Sequence, residues 1–227
     1  MATLIRLADV TPAGRAGVLA RVLDARLVCF PTDTVYGLGG APRRDVVDAI
    51  VAAKGRPADK PLQVIFPTVA ALVGATAPPP RTMGALGRLL PGGVTLVIPY
   101  PSGLRWPPPG QGRDGRPTLG VRVPAWPATA ELLAGLAGPL VASSANQSGA
   151  PAARSLDEVP AELRAACDLL LDAGPLGGPA STVVDLSEYE ESGAWRILRA
   201  GAVPEEAVVA ALGPAAGAAG PRAARGG

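Results

Sequence analysis

The two lysines of the chain, Lys54 and Lys60, lie close together in the segment Lys-Gly-Arg-Pro-Ala-Asp-Lys-Pro. An ammonium group is a compact point charge that fits between phosphate oxygens, and the guanidinium of Arg56 adds a planar fork for bidentate contacts. The clustering of both lysines therefore predicts a loop that binds an anion. The alternative is a solvated turn in which Lys54 and Arg56 only complement the C-terminal dipole of a helix.

Two further polar segments and one arginine could form a ligand site. Residues 31–37, Pro-Thr-Asp-Thr-Val-Tyr-Gly, follow a short apolar run, so hydroxyls and a carboxylate lie at the carboxyl end of a predicted strand, where open α/β sheets bind ligands. Residues 143–149, Ser-Ser-Ala-Asn-Gln-Ser-Gly, can present hydroxyls and backbone N–H groups to a phosphate or ribose, although alone they fit an ordinary Asx turn better. Arg122 lies in an apolar strand and needs an anion, from either the protein or a ligand.

The composition excludes several kinds of active site. The chain has no histidine, which rules out Ser-His-Asp hydrolysis, Cys-His catalysis and histidine-ligated zinc. Its two cysteines are far apart in sequence and cannot form a four-thiolate site. What is left is carboxylate, lysine, arginine and hydroxyl chemistry, or catalysis by alignment and electrostatics, as in reactions centred on phosphate.

Net charge, cysteine content and hydropathy indicate the expected partners and cellular location of the protein. A formal net charge of +2 gives no strong indication of a nucleic-acid or membrane partner. Cys29 and Cys167 both lie in apolar surroundings and are expected to be reduced core thiols, which favours a cytoplasmic location. The N-terminus lacks an apolar signal core and no apolar run is long enough to span a membrane, so no membrane association is expected.

Hydrophobic periodicity predicts an α/β protein of one domain, residues 1–212. Strands are predicted at residues 4–7, 27–30, 62–66, 94–98, 118–124, 140–142, 169–171, 182–186 and 195–198, the last two as a hairpin. Helices are predicted at residues 12–24, 43–54, after Thr68, and at 81–90, 129–136, 155–167 and 204–212. Residues 99–117, rich in Pro and Gly, form either a flap or a disordered insertion, and the tail 213–227 is expected to be disordered.

Six segments in unbroken order resemble the YrdC-type L-threonylcarbamoyladenylate synthases, in their short, single-domain form. The resemblance extends over residues 4–203 and depends on the segments together, since no single one is specific. In chain order the segments are Pro-Thr-Asp-Thr-Val-Tyr-Gly-Leu from residue 31, Lys-Gly-Arg-Pro-Ala-Asp-Lys-Pro-Leu from 54, Gly-Val-Arg-Val-Pro from 120, Ser-Ser-Ala-Asn-Gln-Ser-Gly from 143, Ser-Thr-Val-Val-Asp from 181 and Leu-Arg-Ala-Gly from 198.

The resemblance implies a twisted open mixed sheet with flanking helices and a basic cavity. It also implies that L-threonine, bicarbonate and ATP, the last with Mg²⁺, are joined into threonylcarbamoyl-AMP and pyrophosphate. The product would pass to a downstream tRNA threonylcarbamoyl-transferase complex that modifies the adenosine beside the anticodon. A direct contact with tRNA or other RNA is left open.

Carried over residue by residue, the resemblance assigns threonine binding to Thr34, Arg122 and Ser181, with Arg122 forking the carboxylate. Lys54 and Arg56 would be the catalytic residues, and no residue is expected to bind a metal. The nucleotide and its triphosphate would be held by Lys54, Arg56, Lys60, Thr118, Ser144, Asn146 and Arg199. The alternatives are turn capping for Thr34 and Ser181 and a surface charge for Arg199.

The same resemblance implies no covalent enzyme intermediate, because the substrates supply the reacting groups, and Asp33 is the one candidate for a proton acceptor. Three segments depart from the family pattern: Pro-Gly-Gly-Val-Thr at 91–95, the long insertion at 99–117 and Ala-Ala-Arg at 152–154. Other interpretations are an RNA-binding or ribosome-associated protein and a paralogue with another carbamoylation substrate. A hydrogenase-maturation carbamoyltransferase would need an acylphosphatase domain and zinc modules that this sequence lacks.

Overall fold

The computed structural model describes residues 2–55, 57, 61–102, 104, 110–112 and 115–215 of the 227-residue chain. The strands in these residues are β1 (Thr3–Arg6), β2 (Val28–Phe30), β3 (Gly37–Gly40), β4 (Gln63–Ile65), β5 (Val94–Pro99), β6 (Gly110–Gln111), β7 (Pro117–Arg122), β8 (Leu140–Ser144), β9 (Leu169–Asp172), β10 (Thr182–Asp185) and β11 (Arg196–Arg199). The α-helices are α1 (Arg15–Asp24), α2 (Arg44–Lys54), α3 (Val69–Thr76), α4 (Pro80–Leu89), α5 (Ala161–Ala166), α6 (Tyr189–Ser192) and α7 (Glu205–Leu212). Among the described residues, no helix is long and apolar enough to cross a bilayer.

The strands form one sheet in the order β1-β9-β2-β3-β8-β4-β7-β5-β10-β11, with β6 paired to β7. The sheet is mixed: β1 and β2 run parallel to β9, β4 is parallel to β7, and β5 is parallel to β10. The other pairs, including β3 with β8 and β10 with β11, are antiparallel. Because β1 and β11 lie at opposite edges, the sheet is open, and the prediction of an open mixed α/β sheet is confirmed.

Each face of the sheet has its own apolar core. On one face, Val46 and Ile50 of α2, Leu86 of α4 and Val208 of α7 join a cluster with Val121 of β7. On the other face, the smaller cluster contains side chains from α1, from a 3-10 helix (Ala128–Gly135) and from the sheet, among them Val18, Val22, Leu133, Val28 and Phe30.

The second core does not extend along the whole width of the sheet. Successive side chains of a strand point to opposite faces, and on β7 Leu119 and Val121 lie in the first core while Thr118, Gly120 and Arg122 line a cavity. Residues of β5 and β10 alternate in the same way between the first core and the cavity. The cavity therefore lies over β5, β7 and β10, which contribute no described residue to the second core.

Strand β3 is absent from the sequence prediction, because three of its four residues are glycines, which are rare in strands. The structure gives the reason for Gly39: a Cβ atom there would lie 2.1 Å from the carbonyl oxygen of Val141 on β8. The close approach of the two backbones thus requires glycine at this position.

Two predicted α-helices were wrong in type or extent. Residues 129–136 were expected to form an α-helix, but Ala130, Leu133 and Leu136 are buried at a spacing of three, which suits the 3-10 helix that is found. Ser155 caps a helix as predicted, by accepting a hydrogen bond from the N–H of Glu158, yet the helix ends after one 3-10 turn. Pro160 disfavours helical geometry at the preceding residue, so α5 begins only at Ala161.

Two other predictions concern segments rich in Pro and Gly. Within the predicted loop 99–117, Gly110 and Gln111 pair with β7 as a short strand, while residues 103, 105–109 and 113–114 lie outside the described residues. Most of the predicted tail, residues 216–227, also lies outside them. Gly213, at the start of that tail, accepts a hydrogen bond through its carbonyl oxygen from Trp195 Nε1 at 3.1 Å.

Helix α3 ends at Ala77, a position where glycine should make the protein more stable than alanine does. Ala77 has φ +42° and ψ 56°, a left-handed conformation that is unfavourable for a residue with a Cβ atom. We expect Ala77→Gly to raise the free energy of unfolding by about 0.5–1 kcal/mol, measured by urea denaturation. The matched control is Ala75→Gly, an exposed position inside the same helix, which should lower it by a similar amount. Loss of stability in both variants would contradict the prediction.

Candidate anion-binding site

The cavity has a volume of about 480 Å³ and is lined by the end of one helix and by several parts of the sheet. The end of α2 and the turn after β8 form one side, β7 and β4 form the floor, and β5 with the segment before β10 forms the other side. The polar residues that line it include Lys54, Gln63, Thr95, Thr118, Arg122, Ser144, Asn146, Ser181 and Arg199.

Lys54 enters the cavity because α2 ends there. Gly55 has φ +56°, the left-handed conformation that terminates the helix, and Lys54 is the last helical residue. Lys54 is 6% exposed, and its ammonium group donates to the carbonyl oxygen of Ser144 and, at 3.3 Å, to Asn146 Oδ1. The predicted helix 43–54 is thus confirmed, and it brings Lys54 to the Ser-Ser-Ala-Asn turn.

The turn after β8 is held by its own hydrogen bonds. The Ser144 hydroxyl donates to Asn146 Oδ1, and the Asn146 side-chain amide donates to the carbonyl oxygen of Ala150. Asn146 is 8% exposed. Its side chain therefore connects Lys54, the end of β8 and the following loop through hydrogen bonds.

Arg122 is 2% exposed and is paired with a carboxylate, which confirms that this buried arginine needs an anion. Its Nη2 group donates to Asp33 Oδ1 and to the hydroxyl of Thr34 at 2.8 Å. Asp33 is fixed in turn, since its Oδ2 accepts from the backbone N–H of Ala125 at 3.1 Å. Burial lowers the pKa of Arg122, and the charge of Asp33 opposes this shift.

The hydrogen count of Arg122 limits what a ligand can contact. Nη2 carries two hydrogens, and Asp33 and Thr34 accept both. The Nε hydrogen is buried and has no partner among the described residues. A ligand carboxylate can therefore approach Nη1 directly, whereas a bidentate contact through Nη2 would require it to displace Asp33 or Thr34.

A second arginine also lines the cavity. Arg199, at the end of β11, donates through Nη2 to the carbonyl oxygen of Ser181 at 2.6 Å and to the Ser181 hydroxyl at 3.2 Å. The Ser181 hydroxyl also lies 2.9 Å from the hydroxyl of Thr95, which donates to Gln63 Oε1 at 3.0 Å. Burial lowers the pKa of Arg199 as well.

The site residues predicted from the sequence fall into three groups. Seven line the cavity, and Thr34 lies beside it in contact with Arg122. Arg56 and Lys60 lie outside the described residues. Gln63 and Thr95 were not predicted, because neither belongs to a polar segment and each contacts the site across neighbouring strands. The seven lining residues are Lys54, Thr118, Arg122, Ser144, Asn146, Ser181 and Arg199.

The charges in the cavity favour an anionic ligand. Lys54, Arg122 and Arg199 line it, and its described lining residues include no Asp or Glu. Mg²⁺ in proteins is usually held by one or two carboxylates together with phosphate oxygens. The described residues contain no cluster of three or more His, Cys, Asp or Glu side chains that could hold a metal ion.

An open mixed sheet and a cavity lined by three cations define an α/β protein with a site whose charges favour an anion. The chain belongs to the Sua5/YciO/YrdC family, whose sequence model, described as "Telomere recombination", matches residues 21–201. This confirms the family predicted from the six sequence segments.

Individual relatives agree with this assignment. A protein from Mycobacterium leprae (strain TN) is 37% identical over 208 residues, 90% of each chain. The Bacillus subtilis (strain 168) protein named threonylcarbamoyl-AMP synthase is 34% identical over 202 residues, 88% of this chain and 56% of that protein. The crystal structure of P. abyssi Sua5 complexed with L-threonine matches with a TM-score of 0.75 and 31% identity, over 94% of this chain and 61% of that chain. The chain thus spans less than two thirds of the last two proteins.

Proposed function

We propose that this protein is an L-threonylcarbamoyladenylate synthase, an enzyme that makes threonylcarbamoyl-AMP and pyrophosphate from L-threonine, bicarbonate and ATP. The observation that carries the proposal is the convergence of Lys54, Arg122 and Arg199 on one cavity whose described lining residues include no acid. It is supported by the B. subtilis relative named for this activity and by the structural match to P. abyssi Sua5 complexed with L-threonine.

In this proposal threonine binds at the Arg122 side of the cavity. Its carboxylate contacts the Arg122 guanidinium, which the carboxylate of Asp33 and the hydroxyl of Thr34 hold in place. Ser181 provides a further polar contact from the opposite side. Because Arg122 is almost fully buried, its contact with the carboxylate is shielded from water, while Asp33 offsets part of its charge.

ATP binds at the Lys54 side, with its triphosphate against the ammonium group and against Arg56 and Lys60 of the following segment. Lys54 and Arg56 are the proposed catalytic residues. Thr118, Ser144, Asn146 and Arg199 complete the nucleotide contacts. Mg²⁺ would enter with ATP as part of the substrate and would neutralise part of the charge of the triphosphate.

The chemistry needs alignment and charge stabilisation more than a protein nucleophile. The neutral amino group of threonine reacts with bicarbonate, with loss of water, or with carbon dioxide, with loss of a proton, to give a carbamate. A carbamate oxygen then attacks the α-phosphorus of ATP. The bond from the α-phosphorus to the bridging oxygen breaks, and pyrophosphate leaves. Lys54 stabilises the charge that develops on the phosphates, while Arg122 keeps the carboxylate of threonine away from the phosphorus.

The product is a reactive mixed anhydride of a carbamate and a phosphate, so an acceptor must consume it soon after release. We propose that a tRNA threonylcarbamoyl-transferase complex in the cytoplasm is that acceptor. A direct contact of this protein with tRNA would shorten the distance over which the reactive product must diffuse to its acceptor.

The proposal is tested by measuring pyrophosphate release from ATP with threonine and bicarbonate, each omitted in turn. We expect release only when all three substrates are present, with threonylcarbamoyl-AMP as the second product by mass spectrometry. Release that is independent of threonine would identify another acceptor substrate. Absence of release together with salt-sensitive RNA binding would instead favour an RNA-binding protein.

A further inference from the structure

Thr95 lies at the middle of a chain of hydrogen-bonded side chains along one side of the cavity. Its hydroxyl oxygen is 3.0 Å from Gln63 Oε1 on β4 and 2.9 Å from the Ser181 hydroxyl before β10. Arg199 Nη2 lies 3.2 Å from the same Ser181 hydroxyl. Thr95 and Ser181 are 4% and 2% exposed, so these contacts are largely shielded from bulk water.

The two ends of this chain fix the direction of every hydrogen bond in it. The amide oxygen of Gln63 can only accept, so Thr95 donates its single hydroxyl hydrogen to it. The Thr95 oxygen must then accept from Ser181, which uses the only hydroxyl hydrogen of Ser181. Arg199 can only donate, so Ser181 accepts from it. Ser181 therefore has no hydrogen left for a ligand and can offer the cavity only a lone pair.

We propose that Thr95 is a positioning residue that acts through Ser181. It keeps the Ser181 hydroxyl hydrogen turned away from the cavity, so that Ser181 accepts a hydrogen bond from the bound amino acid. The inference rests on the proposed function, because the ligand is L-threonine, which carries two donors, its amino group and its hydroxyl. Gln63 is the second positioning residue, since its amide oxygen sets the direction of the chain.

Threonine binding to Thr95→Val, measured by calorimetry, tests this role. Valine has the shape of threonine but no hydroxyl, so the Ser181 hydroxyl loses the oxygen to which it donates. Ser181 can then turn its hydrogen towards the cavity, and its lone pair is no longer held towards the bound threonine. We expect the Kd for L-threonine to rise about five- to tenfold, the value of one ordinary hydrogen bond. Thr95→Ser keeps the hydroxyl and should bind nearly as the wild type does. Gln63→Leu should resemble Thr95→Val.

Thr182→Val is the matched control for the loss of a buried threonine hydroxyl. Thr182 is fully buried, lies next to Ser181 and donates to the carbonyl oxygen of Val203 at 2.6 Å, but it does not line the cavity. We expect this variant to unfold at a lower temperature while it keeps the wild-type affinity for threonine. A loss of affinity equal to that of Thr95→Val would mean that Thr95 is only structural, which overturns the proposal.

A double-mutant cycle with Ser181→Ala separates action through Ser181 from other effects. If Thr95 acts through Ser181, Thr95→Val has no further effect on the Kd once Ser181 is alanine. Independent, multiplicative losses in the double variant would overturn the proposal, as would wild-type affinity in Thr95→Val.

Competition with L-valine identifies the donor, because valine has a methyl group in place of the threonine hydroxyl. The competition is then repeated with Thr95→Val. If this variant prefers threonine over valine less than the wild type does, the donor is the threonine hydroxyl. If it loses the same affinity for both ligands, the donor is the amino group. Threonine binding without pyrophosphate release would contradict the proposed function but not this inference. Absence of threonine binding by the wild type would overturn the inference.

Discussion

Replacement of Arg122 by alanine is expected to lower the free energy of unfolding by about 3–5 kcal/mol and to abolish threonine-dependent pyrophosphate release. The stability loss arises because Asp33, whose side chain is 11% exposed, would keep its charge without the guanidinium that neutralises it. Urea denaturation measures the first effect, and the substrate-dependent release assay measures the second.

The double variant Asp33→Ala/Arg122→Ala separates the two effects. Removing both charges should recover part of the stability that Arg122→Ala loses, because no unpaired carboxylate is left, while activity stays absent. The control is Arg44→Ala on α2, which removes an exposed ion pair to Asp48 and should change the free energy of unfolding by less than about 1 kcal/mol. A double variant no more stable than Arg122→Ala would show that the buried pair is not the cause.

Lys54→Met is expected to lower kcat for pyrophosphate release by about 10²- to 10³-fold, the usual effect of removing one preorganised group that stabilises developing charge. Methionine retains most of the apolar stem of lysine, which limits the disturbance at this buried position. Lys54→Arg should restore little, because the larger planar guanidinium cannot replace a compact ammonium against Ser144 and Asn146.

Arg88→Ala is the control for the loss of one positive charge, since Arg88 lies on α4 and contacts the carbonyl oxygen of Ala211 rather than the cavity. We expect its kcat to equal that of the wild type. An active Lys54→Met variant would contradict the assignment of Lys54 to the triphosphate. Thermal unfolding of both variants shows whether either change acts through stability instead.

The sequence predicted those parts of the site that depend on local patterns. The helical spacing of Val46 and Ile50 and the glycine after Lys54 define α2 and its end, so the position of the lysine follows from neighbouring residues. The burial of Arg122 could also be predicted, because a single charge in an apolar strand needs a partner. That the partner is Asp33, 89 residues away in the chain, could not.

The parts that the sequence did not predict depend on contacts between distant strands. Gln63 and Thr95 each stand alone among apolar residues, and their alignment follows from the pairing of β4 and β5 with β7 between them. Strand β3 was missed because its glycines are explained by the close approach of β8 and not by a local preference for strand structure. Arg56 and Lys60 stay predictions, since they lie outside the described residues.

The pairing of β5 with β10 has a consequence for synthesis of the protein on the ribosome. Strand β10 begins at Thr182, so Ser181 and Arg199 reach the cavity only after β10 and β11, which are far from β5 in the sequence, have been translated. Until then, β5 is an apolar strand with one unpaired edge, a form that invites association with other chains. A nascent chain that pauses before Thr182 should therefore be prone to associate with other chains through this edge, and its cavity still lacks Arg199.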